Sequence, residues 1–342
     1  MSEQHGQSRV GAWVGSLWQR LQPRAAAADP VAQATDRVVQ IADPVIRQAR
    51  GYRRVLAGPV AGSMEYFASL LATLPGPVAL DRGRYYDDPT LKALFASPDE
   101  LDQVVRFNPE INRLRQQGFS GEVLAMMTMS QQERTIFGHK QEGELLLRDV
   151  QQQAVSFSDH RLVAPSADLQ TTREGIVNRG LEVLATVAME RITTLRAKKA
   201  ECQGKKEYLQ GMVKILGGRS HRQEIFAAPS PQHREELRKV EQLLAEVDQE
   251  LAQLREQIGL PEQSLKYLEA VLHEPASMLA AHRQHLRLDW KGVRVDAEPG
   301  SEGNDITLAE FSMEDVRRSA VLVRFTLEAT SQPQPWTAAR PA

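Results

Sequence analysis

Two short segments contain the residue types of hydrolytic enzymes. Ser158-Asp159-His160 provides a nucleophile, an acid and a base, but neighbours on a strand point to opposite faces, and triad members normally converge from distant segments. We therefore expect a turn here. His273-Glu274 begins like the helical motif of a zinc protease, yet Ser277 takes the place of the second histidine and Pro275 would break the helix.

A metal site is suggested by three candidate ligands, His282, His285 and Asp289. Three candidate ligands at a predicted helix-to-strand junction, with no cysteine partner, form a weak pattern. The chain has no GxxxxGK[ST] phosphate loop, no GxGxxG fingerprint and no GxSxG nucleophile elbow. We predict no catalytic residue, no cofactor and no metal. An enzyme of unknown reaction at the base of the sheet stays an alternative, with Asp149, Asp159 and His160 as its candidate residues.

The clearest pattern is a pair of apolar stripes with alternating spacings of three and four residues. Such a stripe is the a/d seam of a coiled coil, so each helix needs a partner helix. A stop signal at Gly217-Gly218 and a helix start at Ser230-Pro231 separate the stripes. We predict an antiparallel coiled-coil hairpin over 171–284, with its tip at about 217–232. The stripes are Leu181, Leu184, Ala188, Leu195, Cys202, Leu209, Met212 and Leu216, then Leu237, Val240, Leu244, Val247, Leu251, Leu254 and Ile258.

Charge agrees with this pairing. Residues 191–222 carry nine Lys or Arg and two Glu, whereas residues 234–257 carry four basic and seven acidic side chains. Ion pairs beside the seam account for most of these charges, which weakens the nucleic-acid interpretation that a basic helix suggests. The basic residues that have no acidic counterpart lie at the predicted tip. Its candidate contact residues are Arg219, His221, Arg222 and Arg234.

Composition limits the remaining functions. The chain has 342 residues, enough for about two domains, and a formal net charge of −2, which argues against a dedicated nucleic-acid binder. Cys202 is the single cysteine and cannot form an intramolecular disulfide, which fits a reducing cytoplasm. No stretch approaches the length of about 18 apolar residues that a membrane span needs.

The N-terminal region, 1–30, reads as an amphipathic helix followed by a linker. Trp13 and Trp18 lie on the apolar face of that helix, and arginines flank it. Such a helix docks on a partner groove or lies at a membrane surface. The predicted location is therefore cytoplasmic, with peripheral attachment to the inner face of a membrane as an alternative.

The remaining chain predicts an α+β fold in which one antiparallel sheet is interrupted in sequence by the hairpin. Capping residues and prolines predict a helical domain over 31–117. Short apolar and alternating segments place the two parts of the sheet at 118–170 and 285–330. Pro261 and Pro275 fall on continued seam positions, so the returning helix is expected to be kinked or split. The tail, 331–342, is predicted to be disordered.

These patterns favour a non-catalytic interaction or scaffold protein that engages a protein partner through the hairpin and the N-terminal helix. A nucleic-acid-associated protein that uses the basic tip is an alternative, because a local patch can bind phosphates despite the low net charge. The heptads allow a homo-oligomer as well, since intramolecular and intermolecular helix pairs show the same pattern.

Overall fold

The computed structural model describes residues 29–142, 145–224, 231–295, 303–313 and 316–328; at 139–142, 145–147 and 219–224 it describes the backbone alone. The helices are α1 (Pro30–Ala42), α2 (Tyr52–Leu71), α3 (Pro89–Leu94), α4 (Pro98–Arg106), α5 (Pro109–Gln116), α6 (Leu169–Glu224), α7 (Pro231–Ile258), α8 (Pro261–His273) and α9 (Pro275–Met278). The strands are β1 (Val78–Ala79), β2 (Gly121–Glu142), β3 (Leu145–Ser166), β4 (Ala280–Leu288), β5 (Asn304–Met313) and β6 (Val316–Leu327). Helices and an antiparallel sheet, with a long helix between β3 and β4, agree with the predicted α+β class.

The strands form one sheet in the order β3-β2-β6-β5-β4. Neighbours along this path are antiparallel, so the strands before α6 and those after α9 meet at the pairing of β2 with β6. β1 pairs with β6 in parallel. This two-residue strand lies within the segment predicted to be helical, and it is too short to show a period of two.

β2 and β3 are longer than the segments that the sequence predicts. β6 accompanies β2 only from Gly121 to Met129, and beyond Met129 β2 continues paired with β3 as a two-stranded ribbon. The ribbon is braced where Val155 N–H donates to Gly292 O and Arg294 N–H donates to Gln153 O. Its polar sequence has little apolar alternation, which is why the prediction broke it into short runs.

Most of the shorter helices begin at a polar cap followed by proline. The cap side chain accepts a hydrogen bond from the first turn, and proline at the first position has no N–H to leave unpaired. The cap-proline pairs are Asp29-Pro30, Asp88-Pro89, Ser97-Pro98 and Asn108-Pro109. Helices cover the sheet on both of its faces. One apolar face packs against α3, α4 and α5, and the opposite face shares a second core with α1, α2, α6 and α8. The sheet and these helices are called the base below.

Helix α6 begins in the base and extends beyond it. Ala188 lies in the core of the base, Ile192 after it is also buried, and Arg196 pairs with Asp43 just after the end of α1. Farther along, α6 lies beside α7, which runs in the opposite direction: His233 Nε2 is 3.0 Å from Leu216 O, and Lys198 pairs with Glu250 at 3.0 Å. The part of α6 after Arg196, together with α7, is called the arm. From residue 197 to 224 it spans about 42 Å.

The predicted helix stop at Gly217-Gly218 is wrong. Helix α6 continues to Glu224, while α7 begins at Pro231 as expected. Leu216 is buried, and His233 of the returning helix contacts its carbonyl oxygen, so tertiary packing here can offset the low helix propensity of the two glycines. The predicted split of the returning helix is confirmed, because the chain breaks after Ile258 and again before Pro275. Among the described residues, no helix has both the length and the apolarity needed to cross a bilayer.

Candidate functional site

A cavity of about 1060 Å³ opens between α6 and the sheet. Residues of α4, α5 and α6 line it together with residues of β2, β3, β5 and β6. The wall is mainly apolar, and Phe107 is exposed over 70% of its surface. The apolar lining includes Leu70, Val104, Phe107, Val183, Val187 and Phe311.

Arg318 of β6 fixes a bulge at the floor of this cavity. Its guanidinium donates to Asp159 Oδ2 and to the Asp159 carbonyl, both at 2.6 Å, and to Ser130 Oγ at 2.9 Å. Asp159 has φ 52°, and the pairing of β2 with β3 shifts register between Thr128 and Ser130. Hydrogen bonds from Arg318, and then from Arg161, lower the pKa of the Asp159 carboxyl below its ordinary value. The ionised pair therefore ties three strands together.

His160, the next residue, is almost completely buried. Its ring stacks on Phe95 with centroids 4.6 Å apart, Nε2 lies 2.7 Å from Leu94 O, and Nδ1 lies 3.2 Å from Glu100 Oε1. Burial lowers the pKa of the imidazole, outweighing the hydrogen bond to Leu94 and the attraction of Glu100. The side chain is only 1% exposed. His160 thus fastens α3 and α4 to β3.

The predicted turn at Ser158-Asp159-His160 is therefore a bulged strand. A bulge inserts one residue without ending the ladder, which is why a turn-like sequence can lie inside β3. The carboxylate of Asp159 binds Arg318 and Arg161, whereas the ring of His160 contacts Leu94 and Glu100. The partners of the His160 ring are thus Leu94 and Glu100, and none of these contacts is with Asp159. The three side chains are therefore not arranged as a hydrolase triad.

Acidification is expected to destabilise the protein through His160. Its folded pKa is below the ordinary value of about 6.5, so the unfolded chain takes up a proton first as the pH falls. The free energy of unfolding should therefore decrease from about pH 7 downward. Urea unfolding between pH 5 and 8 measures this slope, and His160→Gln should flatten it. An equal slope in both proteins would assign the pH dependence to other groups.

The arginines that line the cavity are already paired with carboxylates. Arg179 binds Glu110 and Glu182, and Arg318 and Arg161 bind Asp159. An anionic ligand would have to compete with these carboxylates for the arginines. The cavity is better suited to an apolar or amphipathic group that fills the space between α6 and the sheet.

The predicted contact residues lie at two places in the chain. Trp13 and Trp18 are outside the described residues, and so are the side chains of Arg219, His221 and Arg222, whose backbone forms the last turns of α6. Arg234 is exposed in the first turn of α7. The binding of a partner or of nucleic acid by the tip therefore stays a prediction.

The sequence interpretation missed an apolar surface on the side of the arm. Tyr208 and Ile215 of α6 are 67% and 55% exposed, and Leu243 of α7 is 49% exposed. Tyr208 and Ile215 each precede a seam position of α6, and Leu243 precedes one of α7, so all three occupy the g position of the heptad. In an antiparallel pair, g positions of both helices lie on the same side. These three residues are called the apolar flank.

The described residues contain no cluster of three or more His, Cys, Asp or Glu side chains that could hold a metal ion. His282 and His285 lie three residues apart on β4 and therefore on opposite faces, next to Glu310 and Thr307 respectively. The candidate site thus comprises the cavity and the apolar flank. Comparison with protein-family models, with curated proteins and with solved structures found no match for this chain.

Proposed function

We propose that the protein is a non-catalytic interaction protein whose arm is a coiled-coil hairpin that engages a protein partner. The observation that carries the proposal is the apolar flank, which lies on an element that extends beyond the core of the base. Trp13 and Trp18 supply a second contact in this proposal, as the sequence pattern predicts.

Packing between α6 and α7 supports the coiled-coil assignment. Leu195 and Cys202 of α6 cluster with Val247, Leu251 and Leu254 of α7, which are seam positions in both helices. Burial raises the pKa of the Cys202 thiol, as expected for a side chain inside a seam.

Ion pairs flank the seam on both sides. Lys206 binds Asp248 at 2.6 Å on one side, and Lys198 binds Glu250 at 3.0 Å on the other. Pairs of this kind fix the register of two helices while adding little stability. The contacts between α6 and α7 are made by these seam and flanking residues, whereas the apolar flank is largely exposed.

The apolar flank is the surface that a partner would cover. Single exposed apolar residues are common on proteins and need no explanation. Here Tyr208 and Ile215 are one heptad apart, and Leu243 lies beside Tyr208 in the register set by Cys202 and Val247. A row of this kind matches the knobs that one helix presents to another. A helical partner is therefore the expected ligand.

Capture of complexes from the native cell tests the proposed function. The full-length protein is compared with the triple variant Tyr208→Ser, Ile215→Ser and Leu243→Ser. We expect the triple variant to lose a specific protein partner, because the apolar contacts at the centre of an interface provide most of its affinity. Circular dichroism should show the same helix content in both proteins.

A matched control carries three serine substitutions on the other side of the arm, at Lys199, Glu241 and Arg255. These occupy e positions of the same two helices. The control is expected to retain the partner. If both variants retain it, or both lose it, the apolar flank is not the contact surface and the proposal fails.

A further inference from the structure

We propose that the apolar flank binds a second copy of this chain, with the two arms antiparallel and helix α6 of one copy packed on helix α6 of the other. This inference rests on the proposed role of the arm as a contact element and names its partner. The twofold axis passes close to residues 209 and 210.

The shape of the α6 surface fits such a pairing. Gly204, Tyr208, Gly211 and Ile215 are spaced by four, three and four residues, so they form a second stripe beside the seam. A Cβ atom added to Gly204 or Gly211 would meet no atom within 4 Å. The stripe therefore alternates large exposed side chains with open positions.

An antiparallel pair places these features opposite each other. With the axis near residue 209, Tyr208 of one copy faces Gly211 of the second copy, and Ile215 faces Gly204. Each large side chain then enters the space left by a glycine, which is how helices approach closely. By symmetry each contact occurs twice, as a twofold interface requires.

Charge complementarity favours the same arrangement. Glu207 and Lys214 are exposed, lie along the outer border of the stripe, and have no ion-pair partner among the described residues. In the antiparallel register, Glu207 of one copy lies beside Lys214 of the second copy, and the reverse pair forms on the other side of the axis. A parallel pairing would instead bring each of these residues next to its own equivalent, with like charges in contact.

The length of the arm allows full overlap. Arg196, where the arm leaves the base, comes opposite residue 223 of the second copy, one residue before the end of α6. The axis thus lies near the middle of the arm, and the two arms overlap along their whole length before either tip reaches the other base. A pairing centred elsewhere would leave part of each arm uncovered.

Sedimentation of the purified full-length protein over a range of concentrations tests the pairing. We expect a monomer–dimer equilibrium. Glu207→Lys and Lys214→Glu should each raise the dissociation constant by about tenfold, because twofold symmetry places two like-charge contacts in every dimer. An equimolar mixture of the two variants should associate like the wild type, since the mixed dimer regains both opposite-charge contacts.

Glu241→Lys is the matched control, because this exposed residue lies on the other side of the arm. It should leave the dissociation constant unchanged. A monomer at every concentration overturns the inference, and so does a mixture that associates no better than its components. In either case a partner that the serine triple variant loses in the capture experiment would leave the proposed function standing, so the two failures are distinguishable.

Discussion

Alanine in place of Gly180 is expected to lower the free energy of unfolding by about 1–3 kcal/mol, the usual cost of overpacking a core. A Cβ atom at this position would lie 2.8 Å from two ring atoms of Phe67 and 2.9 Å from a third. Phe67 is 4% exposed and packs in the core between α2 and α6. The close atoms include Cγ, which is held near the backbone of α2, so the added methyl group must displace the Phe67 ring or push α6 from α2.

Gly211→Ala is a matched control on the same helix. A Cβ atom at Gly211 meets no atom within 4 Å, so the substitution should raise the free energy of unfolding by about 0.5–1 kcal/mol, the ordinary helix preference for alanine over glycine. Urea unfolding at a concentration where the arms are unpaired measures both effects. If Gly180→Ala and Gly211→Ala changed the free energy of unfolding in the same direction, the packing argument would be contradicted.

A second substitution identifies the source of the strain. Phe67→Leu replaces the planar ring by a smaller side chain, so Gly180→Ala should cost less in that background than in the wild type. The two residues are in contact, and coupling of contacting residues amounts to about 0.5–3 kcal/mol. Purely additive effects would show that the methyl group is accommodated elsewhere.

Gly180 and Phe67 also line the cavity between α6 and the sheet. Gly180 lies on α6 and Phe67 on α2, so their close approach is one of the contacts that position α6 on the base. The added methyl group of Gly180→Ala should therefore change both the width of the cavity and the direction of the arm. This contact links the packing of the base to the placement of the proposed interaction surface.

The seam of the arm is predicted from a sequence signal that is local and repeated. Each heptad adds a further apolar pair, so the pattern over Leu237 to Ile258 does not depend on the rest of the fold. The prolines at 261 and 275 likewise act through their own backbone, and the chain breaks next to both.

Other features depend on contacts between distant segments. The bulge at Asp159 is stabilised by Arg318, which lies 159 residues away. The two-residue strand β1 exists because β6 lies beside it. The helix through Gly217-Gly218 depends on burial of Leu216 against α7. Local propensities cannot reveal such features, since tertiary packing overrides them.

The apolar flank shows a different limit of prediction from the sequence. Its spacing is visible in the sequence, yet Tyr208 and Ile215 could not be separated from the seam residues beside them until their exposure was known. Exposure of 67% and 55% shows that they are not needed for the packing of α6 on α7. To identify the proposed interface, both the heptad pattern of the sequence and the exposed fractions of these side chains in the structure were needed.

Asp43, which follows α1, pairs with Arg196 at the point where the arm leaves the base. Its side chain is 3% exposed; Oδ1 accepts a hydrogen bond from Val45 N–H at 3.1 Å, and Oδ2 binds the guanidinium of Arg196. Asp43→Ala removes the cap of the short helical turn that follows and the partner of Arg196. We expect a loss of about 2–4 kcal/mol in the free energy of unfolding, below the full cost of breaking a buried pair because Arg196 is 45% exposed.

A double-mutant cycle separates the two roles of Asp43. Asp43→Asn keeps an acceptor for Val45 N–H but removes the charge, so it should cost less than Asp43→Ala. Arg196→Ala combined with Asp43→Ala should show a coupling free energy of about 1–2 kcal/mol, since the second substitution no longer breaks a pair. Hydrogen exchange along α6 provides an independent measurement: loss of the pair should speed exchange around Arg196 more than around Leu181, which stays in the core of the base. Zero coupling, with uniform exchange along α6, would show that the pair does not hold the arm to the base.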